Sequence, residues 1–348
     1  MVPYHLAKYF KAQLTFLYRR SSTIECPFHA PAISVINVND IPSYIRTHAT
    51  QIDLLILFHI NTRTIKYGSL FKKLNPNGFL YLKYDSEESN IAYLHEKPWY
   101  HPSYYKRIIF YNRYMPLVDL LSVECRQVYD QMYEFNRAKL HYLPNGISLG
   151  NWRDTTNPHS VKEKENIILL VGRHGSYQKN SEMIFDLIPK LASIQGWLFM
   201  LVGSATVKFL SMYHDFVTKY PQYSDTIKLT GNLTNRDEVA NLYKRAKIFV
   251  LPSRSEGFPI VCSEALSQGV VVCMSKELTS SSDITQDDQV GFRIPRERLD
   301  IWASVISSLM ADEVQQTRLS HASQEHFRKT LAWETTIPGL AERIICSG

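Results

Sequence analysis

The chain has 348 residues, of which 45% are hydrophobic and 21% charged, and its formal net charge at pH 7 is +6. This length suits about two domains, and the composition excludes an intrinsically disordered chain. No apolar run reaches the about 18 residues that span a bilayer, and the start lacks the pattern of a secretory signal. Five cysteines without metal-ligand spacing indicate reduced thiols, so we expect a cytoplasmic protein.

The N-terminal part alternates predicted helices and strands. A helix is predicted at 4–12, strands at 14–18, 33–38, 52–58, 78–84 and 117–123, and a further helix up to about residue 139. His59 and Asp85 follow directly on two of these strands. Ligands of open α/β sheets bind outside the carboxyl ends of strands, so both residues are candidate ligand contacts, although such positions are also typical of turns.

The excess positive charge lies in this N-terminal part. Residues 1–146 contain 17 Lys and Arg against 11 Asp and Glu, which leaves 22 of each for the remainder. Between 97 and 113, cations alternate with aromatic rings, a pattern that suits a lipid head-group layer, sugar stacking, or a helix that packs its tyrosines on a core. No nucleic-acid motif or zinc-ligand spacing occurs, which disfavours nucleic acid as a partner.

A buried strand is predicted at 166–172, and it runs into a loop with two fixed cations. Gly172 and Gly175 open the turn, and Arg173 and Lys179 stand six positions apart. An arginine offers a planar fork of donors and a lysine a point charge, and both pair well with a diphosphate. Taken alone, the loop is more typical of an ordinary strand-to-helix connection with solvated cations.

The segment 248–274 strengthens that interpretation, because it has the pattern strand, loop, helix, strand. Glu256 and Glu264 stand eight positions apart across a Gly-Phe-Pro turn, with Pro259 predicted at the first helical position and Gly269 at the helix end. A helix N-terminus at the carboxyl end of a parallel strand attracts anions, and a carboxylate beside it can accept hydrogen bonds from sugar hydroxyls. The two segments together predict a site for a phosphorylated sugar.

The order of these motifs resembles the retaining glycosyltransferases of glycosyltransferase family 4, the glycosyl transferase group 1. The resemblance also includes the segments 143–147, 201–203, 229–231 and 291–292. It implies the GT-B fold, an α/β fold of two Rossmann-like doubly wound domains that face each other across a cleft. The implied parts are an acceptor domain at 1–145, a nucleotide-sugar domain at 146–325 and a C-terminal helix at 326–348 that packs back across both.

The resemblance also implies roles for individual residues of this chain. The catalytic residues would be Arg173 and Lys179, which bind the donor diphosphate, and Glu256, which holds the donor sugar. Glu264 would hold the nucleotide ribose. Further donor contacts would come from Gly172, Gly203, Gly231, Asn232, Gly257, Phe258, Pro259 and Ile260.

The implied reaction moves a sugar from a UDP- or GDP-linked donor to a saccharide or lipid-linked saccharide, in the synthesis of a bacterial surface polysaccharide or glycolipid. His59 and Asp85 would contact the acceptor, although family members often carry a His where Asp85 falls. Charge grows on the leaving phosphate, and Arg173, Lys179 and the helix dipole would stabilise it.

We expect a reaction without metal or cofactor, since the sequence has no Asp-x-Asp motif and two fixed cations can replace a divalent ion. The resemblance implies that the anomeric configuration is retained. The basic N-terminal part favours peripheral contact with an anionic membrane at its inner face.

The chain departs from its relatives at its start, which reads Met1-Val2-Pro3 without the usual strand and Gly-rich turn. Either translation starts further upstream than this sequence shows, or the first strand of the N-terminal domain is missing and the cleft is more open. A missing strand favours, as an alternative, a non-catalytic sugar-nucleotide-binding partner of another transferase. A sugar-nucleotide epimerase on the same fold is a further alternative, and a dehydrogenase is disfavoured because no Gly-x-Gly-x-x-Gly follows a strand.

Overall fold

The structure of the protein is a computed structural model that describes residues 1–18, 33–85, 110–149, 160–192 and 194–347. The chain forms two compact units. Unit 1 comprises Met1–Pro144 and Trp333–Gly348, and unit 2 comprises Asn145–Ala332. The chain thus passes between units at 144/145 and at 332/333, whereas the sequence-based boundaries lie at 145/146 and 325/326.

Unit 1 is built on parallel strands with intervening helices. Its elements are α1 (Val2–Phe10), β1 (Leu14–Tyr18), β2 (Ile33–Asn37), α2 (Ile41–His48), β3 (Leu54–Phe58), α3 (Thr62–Leu74), β4 (Phe79–Tyr84), β5 (Leu120–Val123), α4 (Arg126–Asn136) and β6 (Leu140–Tyr142). Strands β3 to β6 form one parallel sheet in chain order, while β1 and β2 form a separate parallel pair.

Unit 2 is a doubly wound parallel sheet. Its elements are β7 (Ile167–Val171), α5 (Met183–Leu187), β8 (Leu198–Val202), α6 (Val207–Lys219), β9 (Ile227–Gly231), α7 (Arg236–Arg245), β10 (Ile248–Leu251), α8 (Ile260–Ser267), β11 (Val271–Ser275), α9 (Ser281–Thr285), β12 (Gly291–Ile294), α10 (Leu299–Ala311) and α11 (Glu313–His326). The strand order is β12-β11-β10-β7-β8-β9, and every pairing is parallel. The last helix, α12 (Trp333–Ser347), belongs to unit 1.

Short helical turns connect these elements. Single 3-10 turns span Ala49–Gln51, Met115–Leu117, Val161–Glu163, Ile188–Lys190 and Pro221–Thr226, and π turns span Phe110–Tyr114 and Phe327–Leu331.

Each unit has its own hydrophobic core. In unit 1, α1 and α12 pack beside the sheet, where Leu6, Tyr81 and Leu340 are almost fully buried. In unit 2 the strands β7, β8 and β10 are apolar on both faces, as expected of a parallel sheet covered by helices on each side. Burial of each large apolar side chain contributes about 1.5–3 kcal/mol, so both sheets are well supported.

Most predicted strands are confirmed to within two residues, and two predicted elements differ. The strand predicted at 117–123 begins only at Leu120, because a 3-10 turn that contains Pro116 occupies its start. The C-terminal helix predicted at 326–348 is divided, because Ala332 has extended backbone and pairs with Ile147. Of the helices that the structure describes, none combines the length and apolar character needed to cross a bilayer.

Candidate functional site

The strand order of unit 2 reverses at β7. Strand β8 lies on one side of β7 and β10 on the other, so the chain winds away from β7 in opposite directions. The loops at 172–182 and 252–259 follow β7 and β10 at their carboxyl ends. Ligands of open parallel sheets bind where the winding reverses, and both charged motifs of the sequence lie in these two loops.

Lys179 and Glu256 form an ion pair between these loops. Lys179 Nζ lies 2.5 Å from Glu256 Oε1, and the two side chains are only 18% and 9% exposed. The Ser253 hydroxyl donates to the same carboxylate oxygen at 2.8 Å. An ammonium group has three N–H donors, so Lys179 can hold Glu256 and a ligand oxygen at once.

Further hydrogen bonds fasten the two loops together. The Arg254 N–H donates to the Gln178 carbonyl at 2.7 Å, and Gln178 Nε2 donates to the Ser255 carbonyl at 2.8 Å. Asn180 Nδ2 donates to the Pro252 carbonyl at 3.1 Å. The ion pair is therefore held in place by hydrogen bonds between the two loops. The sequence did not predict these hydrogen bonds, because polar residues of these types are common in any loop.

Arg173 lies on the exposed side of these two loops. Its Nη2 donates to Gln178 Oε1 at 3.4 Å, which is a long hydrogen bond. The structure thus separates the two predicted cations, because Lys179 is in the ion pair and Arg173 faces solvent.

Helix α8 begins at Ile260, one residue later than predicted. Pro259 is its N-cap with extended backbone (φ −71°, ψ 106°), so the prediction of a first helical position was wrong. The proline ring fixes φ and leaves ψ free to be extended. Gly257 is half-buried, Phe258 is buried and Ile260 is 46% exposed. The free N–H groups of the first turn follow directly on the loop that carries Glu256.

The other end of α8 is confirmed. The helix ends at Ser267, and Gly269 follows its C-cap with a φ of 66°. A Cβ at Gly269 would lie 2.4 Å from both Gln324 Nε2 and Ser320 Oγ of α11, so glycine fits this turn for two reasons.

Glu264 lies on the buried side of α8. Burial raises the pKa of its carboxyl to about 7, and the Tyr243 hydroxyl partly offsets that rise. Burial also raises the pKa of the neighbouring Cys262 thiol, and the charges of Glu256, Lys179 and Glu264 all act on it.

Three predicted glycines meet at neighbouring strand ends. The Gly172 N–H donates to the Val202 carbonyl and the Gly203 N–H to the Gly231 carbonyl, each at 2.9 Å. Gly203 has a φ of 130°, and a Cβ there would lie 1.9 Å from the Gly172 oxygen, so only glycine fits. Asn232 follows with an exposed side chain. Close packing against the Gly172 backbone explains why residue 203 is a glycine. Contacts of Gly172, Gly203, Gly231 and Asn232 with a donor remain a prediction.

His59 and Asp85 come together at the carboxyl edge of the unit 1 sheet. His59 Nδ1 donates to the Asp85 backbone carbonyl at 2.8 Å, and the Thr64 hydroxyl donates to the His59 carbonyl at 3.0 Å. His59 has a φ of 61°, which is uncommon for a residue other than glycine. Two residues predicted only by their position after a strand are therefore direct neighbours.

Sequence reasoning missed two buried charges beside them. Lys83 Nζ contacts the Asp85 carboxylate and lies 2.6 Å from Glu124 Oε1, with Lys83 and Glu124 only 2% and 3% exposed. Burial raises the pKa of Glu124, and the charge of Lys83 partly offsets this rise. The available signal was a lysine inside the apolar run Phe79–Tyr84, where a charge requires a partner.

Two further predictions concern metal and membrane contacts. Within the described ranges, no group of three or more His, Cys, Asp or Glu side chains is placed to hold a metal ion. Residues 97–109, which carry most of the predicted aromatic and basic segment, lie outside the described residues.

Residues 153–326, half of the chain, match the family model described as Glycosyl transferases group 1. The match includes both loops of the ion pair and the whole of α8. The chain belongs to the group 1 glycosyl transferases.

This glycosyl transferase is similar to curated bacterial relatives over part of its length. It is 28% identical over 213 residues to a GalNAc-alpha-(1->4)-GalNAc-alpha-(1->3)-diNAcBac-PP-undecaprenol alpha-1,4-N-acetyl-D-galactosaminyltransferase of Campylobacter jejuni, over 60% of this chain and 53% of the relative. It is 24% identical over 186 residues to a UDP-Gal:alpha-D-GlcNAc-diphosphoundecaprenol alpha-1,3-galactosyltransferase of Escherichia coli, over 51% and 46%. The chain spans about half the length of the curated relatives it matches.

Solved structures share its fold. The sucrose-phosphate synthase of Thermosynechococcus elongatus superimposes with a TM-score of 0.72 at 16% identity, over 99% of this chain and 92% of that one. Anabaena HepE in complex with UDP superimposes with a TM-score of 0.71 at 13% identity, over 96% and 100%. The group 1 glycosyl transferase therefore has the predicted GT-B fold of two Rossmann-like α/β domains.

Proposed function

We propose that the chain is a retaining, metal-independent glycosyltransferase that moves a sugar from a UDP- or GDP-linked donor to a saccharide or lipid-linked saccharide. One observation carries the proposal. A largely buried lysine and glutamate, Lys179 and Glu256, are paired where the winding of the unit 2 sheet reverses, directly before the N-terminus of α8. That combination offers fixed positive charge to a diphosphate and a carboxylate to sugar hydroxyls.

The donor contacts follow from this arrangement. Lys179 and the N-terminus of α8 would hold the diphosphate, and the exposed Arg173 would turn toward it when the donor binds. Glu256 would accept hydrogen bonds from the sugar. Glu264 would bind the ribose hydroxyls, and it accepts hydrogen bonds best as a carboxylate, above its pKa of about 7.

The similar proteins support this choice of substrates. HepE was solved with UDP, with UDP and glucose, and with UDP-glucose. The relatives from Campylobacter jejuni and Escherichia coli are named for acceptors linked by a diphosphate to undecaprenol, and a further relative from Erwinia amylovora is named for amylovoran biosynthesis. We therefore favour a UDP-sugar and a lipid-linked acceptor in bacterial polysaccharide or glycolipid synthesis, on the cytoplasmic side of the membrane.

In the proposed reaction an acceptor hydroxyl attacks the anomeric carbon on the face from which the diphosphate leaves. The bond between that carbon and the phosphate oxygen breaks, a bond to the acceptor oxygen forms, and the departing phosphate takes the acceptor proton. Negative charge grows on the leaving group. Arg173 and Lys179 stabilise that charge, so no metal or cofactor is required.

The acceptor would be bound by unit 1, with His59 and Asp85 as contacts. Lys83 would act as a positioning residue, because it holds the Asp85 carboxylate while Glu124 holds Lys83. This arrangement explains why a lysine is buried at the carboxyl edge of β4.

Thermal unfolding with added nucleotides tests the donor site. A ligand at 100 times its Kd stabilises the folded state by about 2.7 kcal/mol. We expect one nucleoside diphosphate among UDP, GDP and ADP to raise Tm with or without Mg²⁺. The shift should disappear in Arg173→Ala and persist in the matched surface variant Arg318→Ala. Equal shifts in both variants, or none with any nucleotide, would contradict the proposed site.

Product analysis tests the reaction class. We expect release of the nucleoside diphosphate together with an α-linked product from an α-linked donor, seen by proton NMR and unchanged by EDTA. An inverted product, or loss of activity with EDTA, would contradict retention or metal independence respectively. Nucleotide binding without transfer or hydrolysis would indicate the non-catalytic partner, and an epimerised nucleotide sugar would indicate the epimerase.

A further inference from the structure

One aromatic side chain of unit 2 is exposed beside the candidate donor site. Tyr177 lies in the loop at 172–182, two residues before Lys179, and it is 81% exposed. The Lys179 N–H donates to the Ser176 carbonyl at 3.0 Å, which closes a turn with Tyr177 as its second residue. A single exposed tyrosine is common on protein surfaces, so the inference depends on how this ring is held and where it lies.

A guanidinium from the other loop of the site covers one face of the ring. Arg254 Cζ lies 4.6 Å from the centroid of the Tyr177 ring. Arg254 Nη1 donates to the Tyr177 carbonyl at 2.7 Å and to Glu182 Oε1 at 3.1 Å, so the guanidinium itself is oriented by two hydrogen bonds. Because Tyr177 is 81% exposed although Arg254 stacks on it, the opposite face of its ring is open to solvent.

The backbone of Arg254 is also fixed. Its N–H donates to the Gln178 carbonyl at 2.7 Å, and Arg296, which follows β12, donates from Nη1 to the Arg254 carbonyl at 3.4 Å. The loops after β7, β10 and β12 therefore meet at this residue. A ring that is held in place before a ligand arrives loses little conformational entropy when the ligand binds.

The loop that carries Tyr177 crosses from one side of β7 to the other. At its start, His174 pairs with Ala205, which follows β8. At Tyr177 the loop instead contacts Arg254, which follows β10. The glycines predicted to contact the donor at the ends of β8 and β9 lie on the opposite side of β7. A ligand of the Tyr177 ring therefore binds on the side of the proposed sugar contact.

Exposure separates this ring from the donor contacts. Lys179 and Glu256 are only 18% and 9% exposed, whereas Tyr177 is the most exposed residue of the same turn to carry an aromatic ring. A sugar held by Glu256 is enclosed, but a saccharide that arrives from solvent meets the open face of Tyr177. One face of a pyranose ring consists of C–H groups, which pack on the negatively polarised face of an aromatic ring.

We propose that Tyr177 stacks on a pyranose ring of the acceptor saccharide and that Arg254 is the residue that positions it. The inference rests on the proposed transferase function. It assigns to unit 2 a part in acceptor recognition, which the sequence predicted only for His59 and Asp85 of unit 1. A stacking contact of this kind reads the shape of one sugar face, so it selects acceptors by the orientation of their ring hydroxyls.

Direct binding of simple sugars tests the proposal. Saturation-transfer NMR on the full chain measures the Kd of the methyl glycosides of D-glucose, D-galactose and N-acetyl-D-galactosamine. We expect at least one of them to bind, with the largest transfer to the C–H groups of one ring face. Tyr177→Ala should weaken that binding about tenfold, which corresponds to about 1.4 kcal/mol.

The matched control is Tyr9→Ala, which removes an exposed tyrosine from the last turn of α1 and should leave the Kd unchanged. Both variants should keep the wild-type Tm, because both side chains are exposed. Equal losses in Tyr177→Ala and Tyr9→Ala, or no binding of any of the three glycosides to the wild type, would overturn the proposal.

Two conservative variants test stacking itself. Tyr177→Phe keeps the ring and loses the hydroxyl, so it should bind like the wild type. Arg254→Lys keeps the charge and loses the planar group that holds the ring, so we expect a smaller loss than in Tyr177→Ala. A loss in Tyr177→Phe as large as that in Tyr177→Ala would overturn stacking, and wild-type binding by Arg254→Lys would remove its positioning role.

A nucleotide arm separates this inference from the proposed function. The thermal shift with UDP, GDP or ADP should be the same in Tyr177→Ala and in the wild type. A shift that disappears in Tyr177→Ala would show that the ring holds the donor, and would overturn the assignment to the acceptor. A wild type that binds a glycoside but no nucleotide would contradict the proposed function, and not the stacking of a sugar on Tyr177.

Discussion

Each candidate binding region holds a lysine against carboxylates, and the two clusters differ in their charge balance. In unit 2, Lys179 pairs with Glu256, and the Ser253 hydroxyl donates to the same carboxylate, with Lys179 18% exposed and Glu256 9%. In unit 1, Lys83 lies against both Glu124 and Asp85 and is almost fully buried. The first cluster is electrically balanced, while the second has an excess carboxylate.

This difference has consequences for stability and function. Burial raises the pKa of Glu124, and the charge of the neighbouring Asp85 carboxylate adds to that rise. A buried charged cluster is costly to break, whereas a partly exposed pair can exchange partners with water or a ligand. We infer that the unit 1 cluster mainly holds structure in place and that the unit 2 pair is available for chemistry.

The largest expected effect on stability is that of Lys83→Met. This change leaves the buried Glu124 beside the Asp85 carboxylate without a cation, and we expect the free energy of unfolding to fall by about 3–5 kcal/mol at neutral pH. Urea denaturation measures it. Lys83→Met combined with Glu124→Gln should recover part of the loss. If Lys179→Met destabilises the chain as much as Lys83→Met, the contrast between the two clusters is wrong.

The largest expected effect on activity is that of Lys179→Ala. Removal of a group that stabilises charge in the transition state lowers kcat by about 10²- to 10³-fold, with a much smaller rise in KM for the donor. Steady-state kinetics with the donor identified by the thermal shift would measure both. The exposed Lys208→Ala in α6 serves as a matched control and should keep kcat. An unchanged kcat in Lys179→Ala would remove this residue from the mechanism.

The raised pKa of Glu264 predicts that the stability of the ligand-free protein depends on pH. Its folded-state pKa of about 7 lies above the ordinary value of 4.5, so the folded form holds the proton more tightly. Stability from this group is full below about pH 4.5 and is lost as the pH rises to about 7, by up to about 3 kcal/mol. Glu264→Gln should lack that loss, as seen in its denaturation midpoint relative to wild type at pH 5 and 8. Parallel pH curves for the two proteins would contradict the assignment.

The pKa of Glu264 also predicts that donor affinity rises with pH, whereas the stability of the ligand-free protein falls. If ribose hydroxyls donate to the carboxylate of Glu264, nucleotide affinity should rise about tenfold from pH 6 to pH 8, because the ionised fraction rises through a pKa of about 7. Calorimetry at these pH values measures the trend. Glu264→Gln should show weaker and pH-independent binding, and a wild-type affinity that is flat with pH would exclude this contact.

The smallest expected effect is that of Ser253→Ala. It removes one hydrogen bond to Glu256 and leaves Lys179 in place, so we expect a loss of about 1–2 kcal/mol in stability and a modest loss of activity. Thermal unfolding and kinetics measure both. The exposed Ser211→Ala in α6 removes a hydroxyl from the surface and serves as the control. A loss of kcat as large as that of Lys179→Ala would show that the hydroxyl, rather than the lysine, governs Glu256.

The residues of the candidate donor site could be selected from the sequence because they lie in two continuous segments. Arg173 with Lys179, and Glu256 with Glu264, stand at fixed spacings beside apolar strands, so local pattern was enough to select them. The exact start of α8 was predicted one residue early, since a proline suits either an N-cap or a first helical position and only the backbone angle ψ distinguishes them.

The sequence by itself determined the α/β class, the strands of unit 2 and the charged residues at their ends, because burial of apolar strands and glycine turns leaves a local pattern. Only the tertiary structure decided which charges are partners. The pairing of Lys179 with Glu256 and the burial of Glu124 against Lys83 join residues far apart in the chain. Such contacts depend on strand order and helix packing, which the spacing of residues in the sequence does not specify.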